Sequence, residues 1–183
     1  MLTNPFGTIK SKMAKIDHAR FAYEICADQF YENNAFLKRF NLEDNLQVWF
    51  NVTALHIWIL TAQLKTLGPE GRVMCQEIFS TMLLDIEIRL NKAGVRTRIN
   101  QITSDLISLY YGQQLAYDEG LALGDAVLAS ALWRNIFSSS VEITAQDLKH
   151  ITEYVRLQLQ FLDEKNLVDL DKSVKFLDVG FPK

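Results

Sequence analysis

The chain has 183 residues, a length that suggests one domain able to bury a core without disulfide or metal staples. Its 49% hydrophobic and 22% charged residues are ordinary for a globular protein, and 8 Gly with 3 Pro favour helices over many short strands. A net charge of −3 excludes an overall basic field that would draw the chain to nucleic acid.

Residues 1–10 are expected to be flexible. Lys10, Lys12, Lys15 and Arg20 face a lone Asp17, which is mildly like an organellar presequence. The plainer reading is the basic outer face of a first helix, or the remainder of a longer leader. That helix is predicted from about Ser11 to Tyr31, with Ile16, Phe21, Ile25 and Phe30 inward. Asn33-Asn34 interrupts it, and a short helix follows over Ala35–Phe40, with Phe36, Leu37 and Phe40 inward. Asp44 or Asn45 then supplies a cap.

The stretch Leu46–Leu60 is the one that the rest is organised around. Apolar residues stand at eleven of its fifteen positions, including Trp49, Phe50 and Trp58. One helical stripe takes only three or four positions per two turns, so this helix is apolar nearly all round. It is too short for a membrane span, which needs about 20 apolar residues, and it carries Gln47, Asn51, Thr53 and His56. It reads as a central helix wrapped by others, with one flank left for a partner. Phe50 and Trp58 lie eight residues apart, close to one face. If partly exposed they are the candidates for partner contact; if Trp58 is buried, the helix is core only. Gly68 followed by Pro69 ends it.

From Pro69 to about Ala93, Met74, Ile78, Met82, Ile86, Leu90 and Ala93 recur at helical spacing. Asp85 and Arg89 are four apart and can pair. Arg89, Lys92, Arg96 and Arg98 make the helix end and its loop basic. A further helix is predicted from Thr103 or Ser104, with Leu106, Ile107, Leu109 and Tyr110 inward and Gly112 a possible bend. Gly120 and Gly124 bracket a turn. Asp125 caps a helix over Ala126–Phe137, striped by Leu128, Leu132 and Ile136. Ser138-Ser139-Ser140 reads as a loop. Thr144-Ala-Gln-Asp147 resembles a capping box, and Leu148, Ile151, Val155, Leu159 and Leu162 make the last helix amphipathic. The expected architecture is all-α, a single compact domain over 11–166 of six or seven helices, with Trp49, Leu55, Ile59, Leu132 and Val155 buried. Residues 167–183 form a loosely packed tail.

Little catalytic chemistry is visible. His18, His56 and His150 do not cluster, and Asp147-x-x-His150 is a lone weak pattern beside the paired Glu-x-x-His of di-metal bundles. No metal or cofactor motif is read. Cys26 and Cys75 read as buried free thiols. His56 reads as a hydrogen-bonded core or interface histidine. Adjacent carboxylates such as Asp118 and Glu119 diverge on a helix and are mostly solvated. The cations at 89–98 read as a solvated helix end, with phosphate of RNA or lipid as the functional alternative. Arg134, on a dense apolar helix, is expected to need a carboxylate, Asp118 first and Glu119 next. As Trp, Tyr and Arg dominate interface hot spots, Tyr117, Trp133 and Arg134 are also candidate polypeptide anchors.

Three ordered segments resemble the ubiquinol–cytochrome c chaperone family. They are Trp49-Phe50 with Leu55-His56-Ile57-Trp58, then Tyr117-Asp118-Glu119-Gly120, then Leu128-Ala-Ser-Ala-Leu-Trp-Arg-Asn135 followed by Tyr154-Val155-Arg156. The resemblance covers about residues 20–163. It departs where Glu43-Asp44-Asn45 replaces a family-like Pro-Asp-Thr. It implies an all-α, non-enzymatic, mitochondrial chaperone on the matrix side, peripheral to the inner membrane. Such a protein works with a small helical assembly factor at the mitochondrial ribosome and holds new cytochrome b. Two alternatives stand beside it. One is a helical carrier of haem or a quinone-like lipid. The other is an enzyme, if one pocket gathers Glu119, Arg134 and His56.

Overall fold

A computed structural model of the chain describes residues 5–31, 35–138, 142–164, 167 and 175–177, with backbone alone for 5–15 and 35. Among them are seven α-helices, one short 3-10 turn and no strand. The first, α1, spans Pro5–Asp28 and so begins six residues before Ser11. Residues 5–10 of the expected flexible start are thus helical, and residues 1–4 lie outside the described part. The inward side of α1 also differs from the expected one. Ala19, Ala22, Tyr23, Cys26, Ala27 and Phe30 are buried, whereas Ile16 is 43% exposed. Small alanines carry the seam because they let two backbones approach, a contribution that counting large apolar residues misses. Asn33-Asn34 lies outside the described residues.

Helix α2, Ala35–Phe40, buries Phe36, Leu37 and Phe40 as expected. Asn45 caps α3, Leu46–Leu64, its side chain accepting from the Val48 N–H. That satisfies one of the free donors at a helix start. Every residue of α3 from Trp49 to Thr61 is buried. Helices α1, α4, α5, α6 and α7 all pack on it. Its polar members are pegged to neighbours. Gln113 Nε2 donates to Asn51 at 3.0 Å, Gln114 Nε2 to the Ala54 carbonyl at 3.3 Å, and Gln63 Nε2 to the Leu159 carbonyl at 3.1 Å. These bonds fix how far α5 and α7 can slide along α3. The helix tightens into a 3-10 turn at Lys65–Leu67, and Gly68, at φ +71°, stops it.

Pro69 opens α4, Pro69–Lys92, which buries Ile78, Met82, Ile86 and Leu90. Helix α5 runs unbroken over Ile99–Leu123, so it starts earlier than Thr103 and continues through Gly112. Gly112 faces open space and costs only propensity there. At Gly120 the backbone of α5 meets α6, Asp125–Ile136, closely enough that a Cβ would lie 2.6 Å from Leu128 Cα. Helix α7, Ala145–Asp163, starts with the reciprocal Thr144–Asp147 capping box that the sequence suggested. Of the serine loop, residues 139–140 lie outside the described part. In the C-terminal tail, Leu167 and Phe176 are buried, so its described part is packed rather than loose.

Candidate functional site

The tryptophans of α3 do not face outward. Trp49 and Phe50 are 2% and 1% exposed, and Trp58 and His56 are fully enclosed. Phe50 and Trp58 are therefore excluded as a partner-facing pair, and α3 is core. The reason is geometric: five helices pack around it, leaving no free flank. Trp58 and the Tyr117-Asp118-Glu119-Gly120 segment do meet. Trp58 Nε1 donates to Asp118 Oδ1 at 2.8 Å, and its ring lies 5.1 Å from that of Tyr117. Lys65 lies 3.5 Å from the other Asp118 oxygen. Tyr117 and Gly120 point inward, and Glu119 is exposed. The motif thus packs α5 on α3 and α6.

Asp118 is accordingly not the partner of Arg134. Arg134 is exposed, and its Nη1 donates to Ser130 at 2.8 Å, one turn back. The side chain snorkels to water from the edge of an apolar stripe, so no buried carboxylate is needed. Trp133 is half-buried beside it. Glu119, Arg134 and His56 are not gathered into one pocket. His56 Nδ1 lies 2.7 Å from the Val52 carbonyl, and Nε2 lies 2.7 Å from the Tyr154 hydroxyl. A neutral ring satisfies both: Nδ1–H donates to Val52, and Nε2 accepts from Tyr154. Burial pushes its pKa down to about 4, against a smaller upward effect of the Val52 bond.

The basic segment divides. Asp85 and Arg89 pair at 3.0 Å, as their spacing suggested. Arg89 also lies 3.9 Å above the Trp49 ring and donates to the Tyr31 hydroxyl at 2.7 Å. The Tyr23 hydroxyl donates to Asp85 at 2.6 Å. Burial and this bond to Asp85 both raise the Tyr23 pKa. Arg89 is thus a clamp joining α1, α3 and α4, held by a desolvated cation–π contact. Lys92, Arg96 and Arg98 remain exposed.

The exposed apolar side chains lie elsewhere. On α4, Leu84 and Ile88 are 62% and 50% exposed; on α5, Tyr111 and Leu115 are 57% and 71% exposed. Tyr111 stacks 5.5 Å from Phe79, so the two helices adjoin there. The sequence reading passed over these four, although a signal existed. Met82, Leu84, Ile86, Ile88 and Leu90 alternate. With 82, 86 and 90 inward, a 100° step per residue sets 84 and 88 opposite. Among the described residues, no three His, Cys, Asp or Glu side chains gather as a metal site would, and no helix is long and apolar enough to cross a membrane.

The sequence model of the family described as ubiquinol-cytochrome C chaperone matches residues 38–170. The chain is 32% identical to ubiquinol-cytochrome-c reductase complex assembly factor 1 of Xenopus laevis over 165 residues, 90% of this chain and 82% of that one. The protein of the same name in Mus musculus is 36% identical over 90% of this chain but only 56% of its own. Protein CBP3, mitochondrial, of Saccharomyces cerevisiae is 31% identical over 78% and 46% respectively. The chain thus spans about half the length of several curated relatives. The crystal structure of the Cbp3 homolog from Brucella abortus superposes with a TM-score of 0.75 at 21% identity, covering 96% of this chain and 97% of that one. That likeness shows a shared fold.

Proposed function

The chain belongs to the ubiquinol–cytochrome c chaperone family, and from that premise we propose that it is an assembly chaperone of respiratory complex III that holds newly made cytochrome b. It acts by binding alone, at the mitochondrial ribosome and with a small helical assembly factor as partner. It works on the matrix side of the inner membrane, attached peripherally, and needs no cofactor. The helical domain, expected over 11–166, is the part that binds.

The observation that carries this reading is where the surplus apolar surface sits. Leu84, Ile88, Tyr111 and Leu115 are exposed on helices that pack against α3, whose stretch Trp49–Thr61 is buried throughout. A transmembrane client offers mostly aliphatic surface. At about 25 cal/mol per Å², roughly 600 Å² of contact supplies a gross 15 kcal/mol before the costs of association. The client face accordingly moves from Phe50 and Trp58 to the outer sides of α4 and α5. Lys92, Arg96 and Arg98, at the adjoining end, add a salt-sensitive attraction to ribosomal RNA or anionic lipid.

Affinity purification from mitochondria tests the reading. The unaltered chain brings down cytochrome b, while the double variant Leu84→Asp, Leu115→Asp keeps its fold and loses it. Full capture by that folded variant sinks the assigned face. Capture of no complex III component by the unaltered chain sinks the function.

A further inference from the structure

The C-terminal tail is held by a side chain that imitates a strand. Gln158 on α7 is fully buried. Its Oε1 accepts from the Leu177 N–H at 2.8 Å, and its Nε2 donates to the Leu177 carbonyl at 2.7 Å. One amide thus satisfies both backbone groups of one residue, as a neighbouring strand would, without regard to that residue's side chain. The preceding Phe176 is buried, edge-on to His56 with centroids 4.9 Å apart. Phe36 and Tyr154 border the same ring of aromatics: Phe36 lies 5.4 Å from His56 and 5.3 Å from Tyr154. Lys175 and Leu177 point to solvent.

We propose that this is a peptide-binding site occupied by the chain's own tail, and that an extended segment of a protein partner carrying an aromatic residue displaces it. The recognition is of a familiar kind, in which main-chain hydrogen bonds hold the segment and one pocket selects a side chain. Two features separate it from ordinary tail packing. His56 is fixed by Val52 and Tyr154 without help from the tail, so the slot keeps its shape when Phe176 leaves. Gln158, by contrast, loses both bonds when the tail leaves and is uncovered to water; a segment with a free N–H and carbonyl at the same place restores them. Moreover, His56, Tyr154 and Gln158 lie within the stretch matched by the family, residues 38–170, whereas Phe176 lies beyond it.

The test uses the full chain with Phe176→Ala and a fluorescein-labelled peptide of residues 172–180, read by anisotropy. The variant is expected to bind this peptide at least tenfold more tightly than the unaltered chain does. Adding Gln158→Met to the variant, or replacing the peptide's phenylalanine by alanine, should remove the binding. A folded variant that binds no better than the unaltered chain overturns the proposal. If Phe176→Ala unfolds the chain, amide exchange in the unaltered protein decides. Leu177 must exchange at least a hundredfold faster than Leu159 of α7, through local release; equal rates make the tail part of the cooperative core and overturn the proposal. A concentration-dependent dimer that the peptide dissolves would assign the socket to a second copy's tail and overturn it likewise. No cytochrome b is present in these assays, so their outcome is independent of the client reading.

Discussion

Helix α3 and the outer faces of α4 and α5 hold the same kinds of side chain under opposite conditions. In α3, Trp49, Phe50, Leu55, Trp58 and Ile59 are enclosed by five neighbouring helices. On α4 and α5, Leu84, Ile88, Tyr111 and Leu115 meet water. Apolar density therefore marks depth in this fold, and apolar residues out of phase with a helix's own stripe mark the surface available for binding. An element apolar on every side demands so many neighbours that it has nothing left to offer.

The largest test of that contrast is Trp58→Ala. It removes a fully enclosed ring and the donor to Asp118, and should cost about 3–5 kcal/mol. A thermal melt would show a large fall in Tm. Client capture at a temperature where the variant is still folded should be unchanged. A clear loss of capture there would put α3 back at the interface.

Next in size is acidification. Folding holds His56 neutral, with its pKa pushed down to about 4 from the usual 6.5. The unfolded chain therefore binds a proton more readily than the folded one. His56 contributes its full stability above about pH 6.5, and that contribution is lost as pH falls toward 4. The loss amounts to about 3 kcal/mol, at 1.36 kcal/mol per pKa unit. Urea midpoints at pH 7 and pH 4.5 measure it. His56→Gln should flatten the slope that remains after the shared carboxylate effects are subtracted.

Gly120→Ala comes third. Its Cβ would press on Leu128 Cα, a backbone atom that cannot swing aside, and the overpacking should cost about 1–3 kcal/mol. Gly112→Ala, in open space on the same helix, should instead stabilise by about 0.5–1 kcal/mol. Denaturant midpoints of the pair show whether glycine acts through packing or propensity.

The smallest expected stability effect is that of Leu84→Asp with Leu115→Asp, within about 0.5 kcal/mol because both side chains are already in water. It should nonetheless produce the largest loss of client capture. Arg134→Met should likewise leave Tm nearly unchanged, since that guanidinium is exposed and its bond runs to Ser130 one turn away. A fall of several degrees would restore the buried-pair reading.

What the sequence made legible follows from where local rules decide. The caps at Asn45 and Thr144, the stop at Gly68 and the Asp85–Arg89 pair each rest on residues within four positions of one another, and each is found in the structure. The all-α architecture, expected with six or seven helices, and the core placement of Leu132 and Val155 follow from periodicity; the described residues hold seven α-helices. The failures concern partners far apart in the chain. The apolar stripe around Arg134 suggests a buried guanidinium in need of a carboxylate, yet Arg134 is exposed and Asp118 bonds Trp58 across 60 positions. The close seam of α1 depended on alanines whose value is set by the helix opposite them. In the described part of the tail, Leu177 takes its hydrogen bonds from Gln158, a partner 19 positions away that no local pattern announces.

The enclosure of α3 also sets an order of events at birth. Its first residue is Leu46, and α7, which covers one of its sides, begins only at Ala145, 99 positions later. Synthesis runs from the N-terminus at about 5–20 residues per second, so for roughly 5–20 s the tryptophan-rich helix exists without its last wall. During that interval the nascent chain displays the same kind of bare apolar helix that the finished fold is proposed to shelter in others.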